Sequence, residues 1–218
     1  MRILLSWSSG KDSAWALHVL NQQYPGAIAA LLTTINEQMD RVAMHGVRRE
    51  VVEAQAHAAG LPLRTVGIPH PCSNAVYEER MRAAIAAAVA EGFTHAAFGD
   101  LFLQDIRRYR EAQLAGSGLE PLFPLWEIPT PDLAREMIEG GLRARLACVD
   151  TRVLDASFAG RDFDLSLLDE LPDNIDPCGE NGEFHTCAYA GPMFSRPLAL
   201  TVGRQECREP FVWADLRT

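Results

Sequence analysis

The sequence has 218 residues, 48% of them hydrophobic, and a formal net charge of -9. This length allows one large domain, or one domain with a smaller one beside it. The acidic charge disfavours general binding to nucleic acid or to an anionic membrane. The 5 cysteines form no CxxC pair, so neither a disulfide framework nor a closed zinc site is expected. Because there is no signal-peptide pattern and no apolar run of membrane-spanning length, the predicted location is the cytoplasm.

The first part of the chain alternates between apolar runs, typical of buried strands, and amphipathic stretches, typical of helices. The pattern predicts strands over 2–6, 27–34, 62–68 and 95–100, and helices over 12–23, 47–60, 75–92 and 105–115. Strands and helices in this order form right-handed βαβ units around a parallel sheet. We therefore predict an α/β fold, with a parallel-sheet, Rossmann-like nucleotide-binding domain over residues 1–125.

After Trp126 the pattern changes. Thr130 is predicted to cap a helix that begins with Pro131 and ends at two glycines. A strand over 142–151, a short helix over 164–174 and a terminal β-hairpin follow. These elements predict a smaller α+β C-terminal domain over residues 126–218.

The turn SSGKDS, residues 8–13, joins the first strand to the first helix. Backbone N–H groups at a helix N-terminus form a natural anion site, and Gly10 lets a phosphate come close. Lys11 could neutralise that phosphate, while Asp12 could bind Mg²⁺ or cap the helix. The turn is not a Walker A loop, because the first glycine is missing and Asp12 follows the lysine. The alternative is an ordinary solvated surface turn, but ligands commonly bind at this end of a parallel strand.

A second candidate site is the stretch CGENGEFHT, residues 178–186. Glu180 and Glu183 could bind a cationic group or Mg²⁺, or accept a proton from an attacking amine. The alternative is a solvated acidic hairpin, since Asn181-Gly182 is by itself a strong turn signal. His185 within this stretch is a candidate for substrate contact, whereas His45 is expected to be structural or exposed.

Three stretches of the sequence resemble known motifs. Residues 8–13 resemble the SGGKDS loop of the ATP-pyrophosphatase group, within the adenine nucleotide alpha-hydrolase-like (HUP) fold, with Ser9 in place of a glycine. Residues 178–186 resemble the C-terminal signature of the diphthine–ammonia ligase family, with departures at Asn181 and His185. GDLFLQDIRRYRE, residues 99–111, resembles a further segment of that family. We interpret its matching positions as Gly99, Arg108, Arg110 and Glu111.

This resemblance implies an ATP-dependent ligase that adenylylates a substrate carboxylate and amidates it with ammonia, releasing AMP and pyrophosphate. The implied catalytic residues are Lys11, Glu180 and Glu183. ATP would be bound by Ser8, Ser9, Gly10, Lys11, Asp12, Ser13, Thr33, Gly99 and Asp100, with Mg²⁺ on Asp12. The substrate would be bound by Arg108, Arg110, Glu180, Asn181, Glu183 and Thr186, and the C-terminal domain would cover the site.

The acceptor and two alternative functions stay open at this point. The alanine- and arginine-rich composition is typical of a bacterial chain, whereas diphthine occurs on an elongation factor of eukaryotes and archaea. The acceptor is therefore a protein-bound carboxylate or a different small molecule. One alternative is a non-catalytic ATP-binding sensor. The other is a tRNA sulfur transferase with Cys178 and Cys187 as sulfur carriers, which the acidic charge disfavours. No nucleic-acid or membrane partner is expected, and a homodimer is predicted from general frequency.

Overall fold

A mostly parallel sheet forms the first half of the molecule. The computed structural model describes residues 1–43 and 45–218. The six strands of this first sheet are β1 (Ile3–Ser6), β2 (Ile28–Asn36), β3 (Arg41–Val42), β4 (Leu63–Ile68), β5 (His95–Ala97) and β6 (Glu120–Leu122). Their order is β3-β2-β1-β5-β6, and β4 also pairs with β2. All pairs are parallel except β2–β3, so the predicted α/β fold class is confirmed.

Four helices cover the two faces of this sheet. They are α1 (Lys11–Gln23), α2 (Arg49–Ala59), α3 (Asn74–Ala90) and α4 (Gln104–Leu114). Side chains of α1 and α2 belong to one buried apolar cluster, and those of α3 and α4 belong to a second. Gly60 ends α2 in the left-handed conformation, with φ +68°, as expected for a glycine after a helix.

The second half contains an antiparallel sheet. Its elements are α5 (Thr130–Glu139), β7 (Arg143–Asp150), α6 (Leu165–Glu170), β8 (Phe184–Ala190), β9 (Thr201–Arg208) and β10 (Phe211–Arg217), with the strand order β8-β7-β10-β9. The prediction of Thr130 as a cap was wrong by one residue: Thr130 is the first helical residue, and its hydroxyl donates to Asp176 instead. Strand β8 was not predicted. The domain boundary near residue 125 stays a prediction, and it falls between the last strand of the first sheet and β7.

An ionic cluster around one buried carboxylate joins the two sheets. Asp215 on β10, whose side chain is 4% exposed, accepts hydrogen bonds from Arg41, Arg48 and Arg217. The bond from Arg48 is the largest reason why the pKa of Asp215 lies well below its usual range. Arg41 lies on β3 of the first sheet and Arg48 directly precedes α2, so this cluster fixes the second sheet against the first half. Among the described residues, no helix is long and apolar enough to cross a membrane.

Candidate functional site

The turn between β1 and α1 is held by its own serines. The Ser8 hydroxyl accepts the N–H of Gly10 at 3.3 Å, and the Ser13 hydroxyl donates to the Gly10 carbonyl at 3.0 Å. Ser9 has a left-handed backbone, with φ +72°, and is fully buried. That conformation favours glycine, the residue that stands here in the motif the turn resembles. Its hydroxyl has no hydrogen-bond partner among the described residues.

Strand β8 of the second half lies directly against this turn. The Thr186 hydroxyl accepts the N–H of Lys11 at 2.9 Å, and the N–H of Ala188 donates to the Ser9 carbonyl at 2.9 Å. From α2, the buried Gln55 amide donates to the carbonyls of both Ser9 and Ala188. The turn and the second sheet are therefore bound together by backbone contacts, and the helix N-terminus faces the interface between the two halves.

Lys11 is the only lysine in the sequence, and it is 2% exposed. Its ammonium donates to the Asp12 carboxylate at 2.9 and 3.0 Å and also to the Cys178 carbonyl. The rings of Phe163 and Phe184 lie 5.5 and 5.6 Å away, at cation–π distance. Burial opposes the charged form, but Asp12 and other acceptors outweigh it and raise the pKa of Lys11. The structure therefore holds one fixed positive charge at the start of α1.

Glu180 supplies the second reactive group. Its carboxylate accepts the N–H of Leu101 at 2.8 Å, which holds the turn at 178–183 against the loop after β5. Burial is the main cause that raises the pKa of Glu180 to about 7, and the bond from Leu101 opposes it. A carboxyl group with a pKa near 7 can exchange a proton at neutral pH, as general acid–base catalysis requires.

These groups line a polar cavity of about 190 Å³, which adjoins an apolar cavity of about 360 Å³. Lys11, Asp12, Asp100 and Glu180 line the polar cavity. The larger cavity lies between the first sheet and helices α3 and α4. Both cavities are lined by Ser6, Ser8, His45, Phe98 and Arg110. An apolar compartment beside a polar one suits a ligand with an apolar ring and a polar tail.

Most of the predicted site residues meet in these cavities. The polar one is lined by Ser8, Lys11, Asp12, Ser13, Gly99, Asp100, Arg110, Glu180 and Thr186, and Thr33 lines the larger one. Ser9 and Gly10 contribute through the backbone of the turn. Gly99 is in close contact with α1, since a Cβ at this position would lie 2.9 Å from the carbonyl carbon of Asp12.

Three predicted residues lie elsewhere. Arg108 is 74% exposed and faces Asp105 at 3.6 Å. Glu183 and Asn181 line a different cleft, on the other side of the turn from Glu180. One Glu183 oxygen accepts from the Asn181 amide at 3.0 Å and from the N–H of Asp176 at 3.1 Å. These contacts give Glu183 and Asn181 a part in shaping the turn.

The sequence did not predict that His45 and His185 would meet. Their rings are in contact on the wall of the polar cavity, with centroids 4.4 Å apart and ring planes tilted by 36°. Burial is the main cause that lowers the pKa of His185 to about 4 and that of His45 well below its usual value. Both rings are therefore neutral at pH 7. His185 was singled out because it lies within the second motif, but nothing in the local pattern connects it with His45.

Sulfur-transfer chemistry has little support in this site. Cys178 and Cys187 are buried, and burial raises the pKa of both thiols, that of Cys187 to about 12. Such thiols are poor nucleophiles, which disfavours the sulfur-transferase alternative. Within residues 1–43 and 45–218, no group of three or more His, Cys, Asp or Glu side chains is placed to bind a metal ion.

Two known family domains together match most of the chain. The family described as "Diphthamide synthase N-terminal domain" matches residues 1–109, and the one described as "Diphthamide synthase C-terminal domain" matches residues 129–215. No curated protein gives a significant match. The two matches lie in sequence order and include both motif-bearing turns, so the chain belongs to the diphthamide synthase (diphthine–ammonia ligase) family.

Proposed function

We propose that this protein is an ATP-dependent carbon–nitrogen ligase, which adenylylates a carboxylate and amidates it with ammonia. The observation that carries the proposal is the meeting of Lys11 and Glu180 in one polar cavity that adjoins a larger apolar one. One group is a fixed positive charge at a helix N-terminus, and the other is a carboxyl group that titrates near neutral pH. Family membership supports an enzyme of this type.

The residues present fit ATP with Mg²⁺. The apolar cavity would take the base, while the start of α1 and Lys11 would face the phosphates. Mg²⁺ typically uses one or two protein carboxylates together with substrate phosphates. Asp12 and Asp100, which both line the polar cavity, are the carboxylates we assign to it, and the ion would offset phosphate charge there.

The proposed reaction has two steps. An acceptor carboxylate oxygen attacks the α-phosphorus, the bond to the β-phosphate oxygen breaks, and pyrophosphate leaves with that electron pair. Lys11 stabilises the charge that develops on the phosphates. Ammonia then attacks the acyl carbon, AMP leaves with the carbon–oxygen electron pair, and the ionised carboxylate of Glu180 accepts the proton lost by nitrogen.

The acceptor we propose is a carboxylate, either on a modified protein side chain or on a small molecule. Arg110 is the cationic side chain assigned to it, because Arg110 lines both cavities. In the structure its guanidinium donates to Asp100 at 3.4 Å. Arg108 loses its proposed role in this scheme, since its side chain is exposed.

The test is to identify the nucleotide product. The protein is incubated with Mg-ATP, ¹⁵N-ammonium and a mixture of carboxylic acids, and the phosphate products and ¹⁵N-amides are resolved. We expect AMP and pyrophosphate with the wild type and with Arg135→Ala, a surface control, and neither product with Lys11→Ala. ADP with phosphate would contradict adenylylation. ATP binding without any product from a broad acceptor set would favour the sensor instead.

The single lysine offers an independent check on ATP binding. An acyl-phosphate derivative of ATP transfers its acyl group to a nearby lysine, and Lys11 is the only lysine side chain that it can modify here. We expect modification of Lys11 that unlabelled ATP prevents. Modification that ATP leaves unchanged would argue against nucleotide binding beside this residue.

A further inference from the structure

The apolar cavity contains polar atoms that lack partners. Thr33 Oγ1, His45 Nδ1 and Gln113 Nε2 are buried and have no hydrogen-bond partner among the described residues. All three residues line the same cavity of about 360 Å³. Buried polar groups are nearly always hydrogen-bonded, and leaving one unpaired is unfavourable. Three such atoms around one cavity indicate that a ligand pairs with them.

The rest of the cavity wall defines the shape and chemistry of that ligand. It is mainly apolar, with contributions from β1, β2, α3 and α4, including Leu4, Leu32, Met81 and Leu114. A planar ring with apolar faces and hydrogen-bonding edges satisfies both the apolar wall and the unpaired polar atoms. A nucleobase has this combination, whereas an aliphatic chain would leave the polar atoms unpaired.

The placement of Gln113 connects this wall with the polar cavity. Gln113 lies three residues after Arg110 on α4, a spacing that puts both side chains on one face of the helix. Arg110 lines both cavities, while Gln113 lines only the apolar one. Thr33 faces the same cavity from β2, on the opposite side of the space. A base held between them would have its phosphates directed towards Lys11.

We infer that Gln113 and Thr33 form hydrogen bonds with the polar edge of the base, and that Gln113 is a specificity-determining residue for adenine. This inference rests on the proposed ATP-dependent function. A glutamine amide can donate to a ring nitrogen of adenine and accept from its exocyclic amine at the same time. The Thr33 hydroxyl can donate or accept at a neighbouring position. The sequence motifs give no hint of this role, because Gln113 lies outside all of them.

The test is a double-mutant cycle in which one change is made in the protein and the other in the ligand. The dissociation constant of each combination is measured by calorimetry. The ligands are ATP, purine riboside triphosphate, which lacks the exocyclic amine, and inorganic triphosphate. The proteins are the wild type, Gln113→Leu, and the matched control Gln104→Leu, which changes an exposed glutamine on the same helix. Gln113→Leu removes an unpaired polar atom, so its thermal midpoint is expected to stay at or above that of the wild type.

For the wild type and Gln104→Leu we expect about tenfold weaker binding of purine riboside triphosphate than of ATP, since one hydrogen bond to a buried group is worth about that factor. For Gln113→Leu we expect both nucleotides to bind equally, about tenfold more weakly than ATP binds to the wild type. Inorganic triphosphate should bind all three proteins alike.

Two results would overturn the inference in distinguishable ways. If Gln113→Leu still prefers ATP by the wild-type factor, Gln113 does not contact the exocyclic amine, and the proposed function is unaffected. If the wild type binds neither ATP nor inorganic triphosphate, the proposed function fails and this inference fails with it.

Discussion

Replacing Ser9 with glycine should stabilise the protein. A left-handed backbone costs an L-residue about 1–2 kcal/mol, and Ser9 has φ +72°. Glycine removes that cost, but it also gives the unfolded chain more conformational entropy, which lowers the stability by about 0.4–1 kcal/mol. The buried Ser9 hydroxyl is also unpaired, with the Cys187 thiol beside it but outside hydrogen-bond geometry. Removing an unpaired buried hydroxyl returns about 1 kcal/mol.

These terms give Ser9→Gly a net stabilisation of about 1–2 kcal/mol, and a Tm rise of about 2–4 °C per kcal/mol. The control is Ser9→Ala, which removes the hydroxyl but keeps the left-handed backbone. We expect its gain to be smaller by about 0.5–1 kcal/mol, which is the backbone relief less the glycine entropy. Urea unfolding of the three proteins measures these differences. A glycine variant less stable than the alanine variant would refute the argument from backbone strain.

Three further predictions concern packing and pH. Gly99→Ala places a Cβ 2.9 Å from the Asp12 backbone, so we expect a loss of about 1–3 kcal/mol; an unchanged urea midpoint would contradict this packing. Folded Glu180, with its pKa raised from 4.5 to about 7, keeps a proton that the unfolded chain releases between those values. Stability should therefore fall as pH rises through that range, and less steeply in Glu180→Gln; parallel stability–pH curves would show that Glu180 is not responsible. Asp215→Asn should cost about 1–3 kcal/mol at pH 7; because the pKa of Asp215 is lowered, the difference should shrink only in strongly acidic urea titrations, and a difference that vanishes at pH 5 would contradict the ionic cluster.

The fold of the first half was predictable because its signals are local. Each of the four predicted strands is a short apolar run, and Gly60 is a recognisable stop for α2. The short strands β3 and β6 contain the charged residues Arg41 and Glu120 and were not predicted. The phosphate-loop candidate was predictable for the same reason, since the residues from Ser8 to Ser13 are contiguous. Contacts between the halves were not predictable: the bond from Lys11 to Thr186 joins residues 175 positions apart.

The second motif shows what local patterns leave open. Glu180 and Glu183 are equivalent in the sequence, and both were predicted to be catalytic. Gly179 and Gly182 both have positive φ, at +68° and +87°, and the resulting turn puts the two carboxylates in different clefts. Which of them faces Lys11 depends on these backbone angles, and a sequence motif does not specify them.

The division of the site between two sheets has a chemical reason in the proposed reaction. The first sheet supplies the turn that would hold phosphates, and its buried lysine needs a partner for its charge. Part of that partner is the Cys178 carbonyl, which the second half contributes together with Glu180 two residues later. Any shift of this turn would alter the surroundings of the lysine and the position of the proton acceptor together. The ionic cluster at Asp215 and the hydrogen bonds of Gln55 to Ser9 and Ala188 hold the two halves together, so stability of the interface and competence of the site should change together.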